Sequence, residues 1–217
     1  MASPSASATS SSRCSGRAEL ALGARLPRLF VISGPSGAGK GTLIRGLLER
    51  SDRYVVAISA TTRPRRKGEV DGREYYFLSD EEFQRRVDAG EFLEHVGYAG
   101  GRYGTLAAEV DRLLTTGRGV ILELEVEGAF AVRRRRPGTT LVFVNPPSLE
   151  DLERRLRARA TDSAGEIEVR LAIAHEQLRA RDEFDIVITN DDAERATREL
   201  QQRLDEILDA DAVKGTQ

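Results

Sequence analysis

Between Ile32 and Leu43 the chain reads ISGPSGAGKGTL, and the residues there that could do chemistry are its glycines, Lys40 and Thr42. Glycines let a loop aim several backbone N–H groups at one centre. A following helix adds its positive N-terminal end, and a lysine supplies a mobile point charge for outer phosphates. The spacing is G-x-x-x-x-G-K-[ST] in every place but the last, where Gly41 stands before Thr42. Ahead of the loop lies the apolar run PRLFVIS. Behind it Leu43, Ile44, Leu47 and Leu48 recur at helical spacing. Strand, loop and helix in that order point to binding of a nucleoside triphosphate rather than to an ordinary turn. The contacts come from Gly34, Pro35, Ser36 and Gly37, then from Ala38, Gly39, Lys40, Gly41 and Thr42. The late hydroxyl of Thr42 is the candidate metal contact, made through water, because Mg²⁺ dehydrates reluctantly and is held mainly by substrate phosphates and waters.

A second cluster follows. SATTRPRRKGEVDGREYYF (Ser59–Phe77) packs Arg63, Arg65 and Arg66 among a serine, two threonines and two tyrosines. Guanidinium groups bind phosphate oxygens two at a time, and hydroxyls complete such a seat. Arginines decorating a surface hairpin would not account for the hydroxyls. GEFLEHVGYAGGRYGT then carries an acid, Glu94, and ends on Tyr103, Gly104 and Thr105.

Positioning these groups requires a scaffold. Short apolar strands (27–33, 54–59, GVILELEV, TTLVFVNPP and FDIVIT) alternate with amphipathic segments, which predicts an α/β fold with a buried parallel sheet flanked by helices. Helices are predicted after the loop, at LAAEVDRLLTTG and GAFAVRRRR, over 148–159 and 165–180, and from Asp192 to Leu208. Residues 61–105 break the pattern, with charges, glycines, four of the five tyrosines and one helix over 79–88. They read as an insertion. RRRR at 133–136 reads as a solvated helix end.

The 217 residues make one medium domain with its insertion, and 33 basic against 35 acidic side chains leave a net charge of −2. That balance gives no basic field for nucleic acid or an anionic membrane, and no apolar run has the length of a membrane span. Only Lys40, Lys67 and Lys214 are lysines, so the positive charge is almost all arginine. A single cysteine, Cys14, excludes an internal disulfide and fits a reducing, cytoplasmic location. The Ser/Ala-rich start MASPSASATSSSRCSG lacks acidic residues and has the composition of a transit peptide as well as of an unstructured tail; it is read as part of a disordered tail over 1–26, with a short tail over 211–217.

From about Arg28 to Leu208 the chain resembles the guanylate kinases. The likeness is carried by SGPSGAGKGT, TTRPRRKGE, DGREYYF, GEFLEH, GGRYGT, LELEVEG, PPSLEDLERRLRARATDS and VITNDD, in that order. The resemblance implies a P-loop core (27–58 and 106–208), a GMP-binding insertion (59–105) and a helical lid over about 155–170. It implies Mg²⁺-dependent transfer of a phosphoryl group from ATP to GMP. By that resemblance Ser59, Arg63, Arg66, Tyr75 and Tyr103 grip the GMP phosphate, while Glu94, Thr105 and Glu125 read guanine. Arg155, Arg159 and Arg170 reach over the phosphates, and Asn190 contacts adenine. Lys40, Arg63, Arg66, Arg159 and Arg170 form the catalytic set. His95 and His175 receive no role. The partners implied are ATP and GMP, with no nucleic acid or membrane, and assembly of identical chains is compatible with them.

The chain departs from the family pattern in three places. Proline comes one place early in TRPRRKGE, the strand end reads LELEVEG with Glu123, Glu125 and Glu127, and Gly165 stands in the lid where an acid is usual. Two other readings stand beside the kinase: a same-fold kinase for another phosphorylated acceptor such as a ribose bisphosphate, and a non-catalytic interaction module. The second conflicts with the retention of Lys40, Arg159 and Arg170.

Overall fold

A computed structural model describes residues 28–98, 100–158 and 164–214 of the chain. From β1 (Leu29–Ser33) the chain enters α1 (Lys40–Arg50) and β2 (Tyr54–Val56). It then passes through β3 (Ala60–Thr61), β4 (Tyr76–Phe77), α2 (Asp80–Asp88), β5 (Phe92–Tyr98) and β6 (Gly101–Leu106). Next come α3 (Ala107–Leu114), β7 (Gly119–Glu123), α4 (Val126–Arg135) and β8 (Thr140–Asn145). Helices α5 (Leu149–Arg157) and α6 (Ala164–Arg179) lead through a 3-10 turn (Ala180–Glu183) to β9 (Ile186–Thr189) and α7 (Ala193–Lys214).

Five strands pair in the order β2-β7-β1-β8-β9, every neighbouring pair parallel. Alternation along β1 sends Phe30 and Ile32 to one face and Leu29 and Val31 to the other. Both faces are apolar, so both are covered. On one side Leu43, Ile44 and Leu47 of α1 and Leu200 and Leu204 of α7 close the core, while Val110 of α3 and Val126, Ala129 and Val132 of α4 close the other. This is the α/β fold that the sequence predicts.

Three expectations are corrected. The second strand stops at Val56 instead of Ser59, because β2 is the sheet edge, with Val55 and Val56 only half-buried. The insertion holds more than a helix: β4-β3-β6-β5 form a second, mixed sheet. Its small core is Ala60, Phe83, Phe92 and Leu106, with Phe83 of α2 stacked on Phe92 at 4.5 Å between ring centres. RRRR is more than a solvated end. Arg133 pairs with Asp185, Arg135 donates to the Phe92 carbonyl at 2.8 Å, and Arg136 pairs with Asp111 at 2.9 Å. Arg135 thereby ties α4 to the insertion. In addition, α7 continues to Lys214, past the domain end expected at 210. The N-terminal tail and residues 159–163 at the centre of the expected lid lie outside the described residues.

Candidate active site

The loop from Ser33 to Lys40 is shaped by glycines that no other residue could replace without strain. Gly34 and Gly39 have φ of 138° and 97°, and a Cβ on them would strike the Val144 carbonyl and the Asn190 amide respectively. The loop is tied internally by Ala38 N–H to the Pro35 carbonyl at 3.0 Å. From outside, buried Asn190 donates its amide to the Ala38 carbonyl at 2.7 Å, and Arg155 donates to the Asn190 carbonyl at 2.9 Å. Asn190 and Arg155, expected from the sequence to contact adenine and phosphate, are seen here holding the loop in shape. Gly39 caps α1 without a side-chain bond, and the first turn itself carries no acidic residue.

Lys40 is the first residue of α1 and is 8% exposed. Its Nζ donates to the Gly34 carbonyl and lies 3.4 Å from the Pro35 carbonyl and 3.5 Å from Glu125 Oε1. Glu125, expected within the strand and beside guanine, sits beyond the strand end as the residue before α4. Its other carboxylate oxygen accepts from Gln177 of α6 at 2.8 Å. The structure therefore joins Glu125 to the loop lysine.

Gly41 and Thr42 point in different directions, as successive helix residues must. A Cβ on Gly41 would lie 3.6 Å from Glu123 Oε2, while Thr42 lines a cleft of about 500 Å³ with Gly37, Gly39, Arg155, Asn190 and Asp191. Glu123 is thus the carboxylate beside Gly41, whereas Thr42, the expected metal contact, faces the cleft that Asp191 and Asp192 also line. Burial and the Glu125 charge raise the Glu123 pKa against the opposing pull of Lys40.

In the insertion, pairing of β5 with β6 sets Glu94 opposite Thr105. The Thr105 hydroxyl donates to Glu94 Oε1 at 2.8 Å, with exposures of 1% and 8%. Burial raises the Glu94 pKa, and the hydroxyl and backbone bonds from Thr105 only partly offset it. Nearby, Tyr103 of β6 meets Tyr75 edge-on at 5.9 Å, and the Arg63 guanidinium lies 5.4 Å from the Tyr75 ring centre. Arg66 is exposed, and Ser59 is half-buried with its carbonyl accepting from Tyr76 N–H at 2.9 Å. Arg170 is half-buried on α6, and Arg159 lies outside the described residues.

The structure thus gathers Lys40 with Glu125, Asn190 and Arg155 with the loop, Arg63 with Tyr75 and Tyr103, and Glu94 with Thr105. Sequence reasoning missed Gln177 and the place of Glu123. A strand ending on acids signalled Glu123, whereas nothing distinguishes one amide in a charged helix.

The family model for guanylate kinase matches residues 26–207. A guanylate kinase of Rubrobacter xylanophilus is 52% identical over 176 residues, covering 81% of this chain and 92% of that protein. One from Prochlorococcus marinus is 49% identical over 174 residues, covering 80% and 92%. Among solved structures, the guanylate kinase of Anaplasma phagocytophilum superposes with a TM-score of 0.68 at 30% identity, covering 85% of this chain and 87% of that one. With a nucleotide loop, a buried acid–threonine pair and likeness of this extent, the chain belongs to the guanylate kinase family.

Proposed function

We propose that the chain transfers the γ-phosphoryl group of ATP to GMP, and to its deoxy form, giving ADP and the nucleoside diphosphate. The observation that carries this reading is the Glu94–Thr105 pair, a buried carboxylate with a hydroxyl at one edge. Guanine offers two adjacent donors, N1–H and the N2 amino group, which one carboxylate accepts together, and its O6 accepts from a hydroxyl. Adenine sets an unprotonated ring nitrogen against that carboxylate and leaves a desolvated charge unpaired. Glu125 contributes at the phosphate end in this reading, supported by its contacts with Lys40 and Gln177.

The acceptor oxygen is already anionic near neutral pH, so no strong base is required, and the barrier lies in bringing two polyanions into line. Lys40 takes the outer phosphates of ATP. Arg63, Arg66, Tyr75, Tyr103 and Ser59 hold the acceptor phosphate, and Arg159 and Arg170 act on the transferring group. Asn190 and the Arg155 side chain border the cleft assigned to ATP. Enclosure by lid and insertion keeps water from acting as acceptor.

Mg²⁺ fits this arrangement. It binds through one or two carboxylates plus phosphates and keeps several waters. Glu123, beside the small residue Gly41, supplies such a carboxylate. No cluster of three or more acidic, histidine or cysteine ligands exists among the described residues, and none is needed for an ion carried with the nucleotide. When bound, Mg²⁺ supplies neutralisation of the phosphate charge. A cytoplasmic location completes the reading and rests on the lone Cys14. No helix among the described residues is long and apolar enough to cross a membrane.

A coupled ADP-release assay with GMP, dGMP, AMP and a ribose bisphosphate tests the assignment. Turnover with GMP far above AMP is expected. Turnover on the sugar phosphate alone overturns the guanine reading, and no turnover on any acceptor favours an interaction module.

A further inference from the structure

The segment from Pro64 to Gly68 has no buried apolar anchor, since all five residues are exposed. One carboxylate organises it instead. Glu69 accepts from Arg63 Nη1 and Nη2 at 3.0 and 2.8 Å and from the Arg66 backbone N–H at 2.7 Å. The Glu69 N–H donates to the Arg66 carbonyl at 3.1 Å, and the Glu69 carbonyl accepts from Arg65 at 2.8 Å. The Arg63 guanidinium also lies 5.4 and 5.7 Å from the ring centres of Tyr75 and Phe77. Exposure of the Arg63 and Glu69 side chains is only 15% and 17%, which sets this pair apart from the solvated ion pairs elsewhere on the chain. The Arg63 bonds, followed by the Arg66 N–H, hold the Glu69 pKa down to about 2, so the carboxylate is charged at any working pH.

A flexible arginine loses rotamer freedom when it grips a ligand, and one already held loses less. Glu69 takes one N–H from each terminal nitrogen of Arg63 and the Pro64 carbonyl takes a second from Nη1 at 2.7 Å, so two of the five donors of the fork stay outside these three bonds. We infer that Glu69 is a positioning residue of the acceptor-phosphate clamp: it presets the Arg63 side chain and the Arg66 main chain for GMP and touches no substrate itself. The inference rests on the acceptor reading of Arg63 given above. A carboxylate acting instead as a competing internal anion would have the opposite sign, because removing its charge would tighten GMP.

Steady-state kinetics of Glu69→Gln, Arg63→Ala and the double variant, with GMP and ATP varied in turn, decide between these. Glu69→Gln is expected to raise KM for GMP about tenfold to a hundredfold, with KM for ATP within about twofold of the parent. On the Arg63→Ala background it should add little, since both changes remove one device. Glu69→Asp, with its charge on a shorter arm, should fall between parent and Glu69→Gln, and carries the same test if the latter does not fold. KM for GMP unchanged or lowered in Glu69→Gln overturns the inference, as do fully additive effects or equal rises in both KM values. If Arg63→Ala itself leaves KM for GMP untouched, the acceptor reading falls and takes the inference with it.

Discussion

At the proposed donor end, the groups within residues 34–42 are the backbone N–H groups of a glycine loop, a helix start and one lysine. At the proposed acceptor end the groups are side chains drawn from four separate stretches: Arg63, Tyr75, Glu94, and Tyr103 with Thr105. The donor loop rests on a five-stranded parallel sheet with apolar cores on both faces, the acceptor set on a thin mixed sheet and ion pairs. The contrast follows from the ligands. A triphosphate tail is much the same in every nucleotide, so main-chain donors suffice. Telling guanine from adenine needs a side chain whose charge and acceptors match one base edge and penalise the other.

Breaking the donor end at the lysine of its loop should have the largest effect. Lys40→Ala is expected to lower kcat about 10³-fold or more while moving KM for GMP little, as measured by steady-state turnover. Next in size, Glu94→Gln should lower kcat/KM for GMP about 10²-fold through the acceptor end alone. Burial raises the Glu94 pKa, so the group takes up a proton at a higher pH than an ordinary carboxylate and then loses an acceptor. KM for GMP should therefore rise as pH falls through that raised value, and Glu94→Gln should abolish this limb of the profile. For folding the sign is reversed: a raised folded pKa means that this group stabilises the fold most at low pH, and the contribution is lost as pH rises through it.

Asn190→Ala, which leaves the Ala38 carbonyl with only the longer 3.4 Å bond from Arg155, should raise KM for ATP about tenfold and cost about 1–2 kcal/mol in chemical denaturation. The smallest effects sharpen the comparison at Gly41. A serine Cβ there meets Glu123 at ordinary van der Waals distance, so Gly41→Ser should keep kcat within about threefold, while Thr42→Ala should lower it about fivefold. The reverse order would move the hydroxyl's role back to the position beside Glu123.

The same contrast governs what the sequence discloses. The donor loop is legible because its physics is local: glycines, lysine, strand and helix are neighbours in the chain. The central sheet is legible because a strand buried on both faces is apolar throughout. The acceptor sheet is not. Its strands are as short as two residues, it alternates poorly, and a bulge at Phe92–Glu94 interrupts its one long pair. The Arg63–Glu69 and Gln177–Glu125 contacts were hidden for another reason, since which of many polar side chains meet depends on tertiary placement. RRRR shows the reverse error, a surface-looking run that braces α4 against three other parts of the fold.

The division of labour between the two ends is tested most directly by the KM values of Glu94→Gln for both substrates, measured in one set of steady-state experiments. The account predicts a large rise for GMP, with the value for ATP within about twofold of the parent. Equal rises for both substrates, or an unchanged KM for GMP, would contradict it.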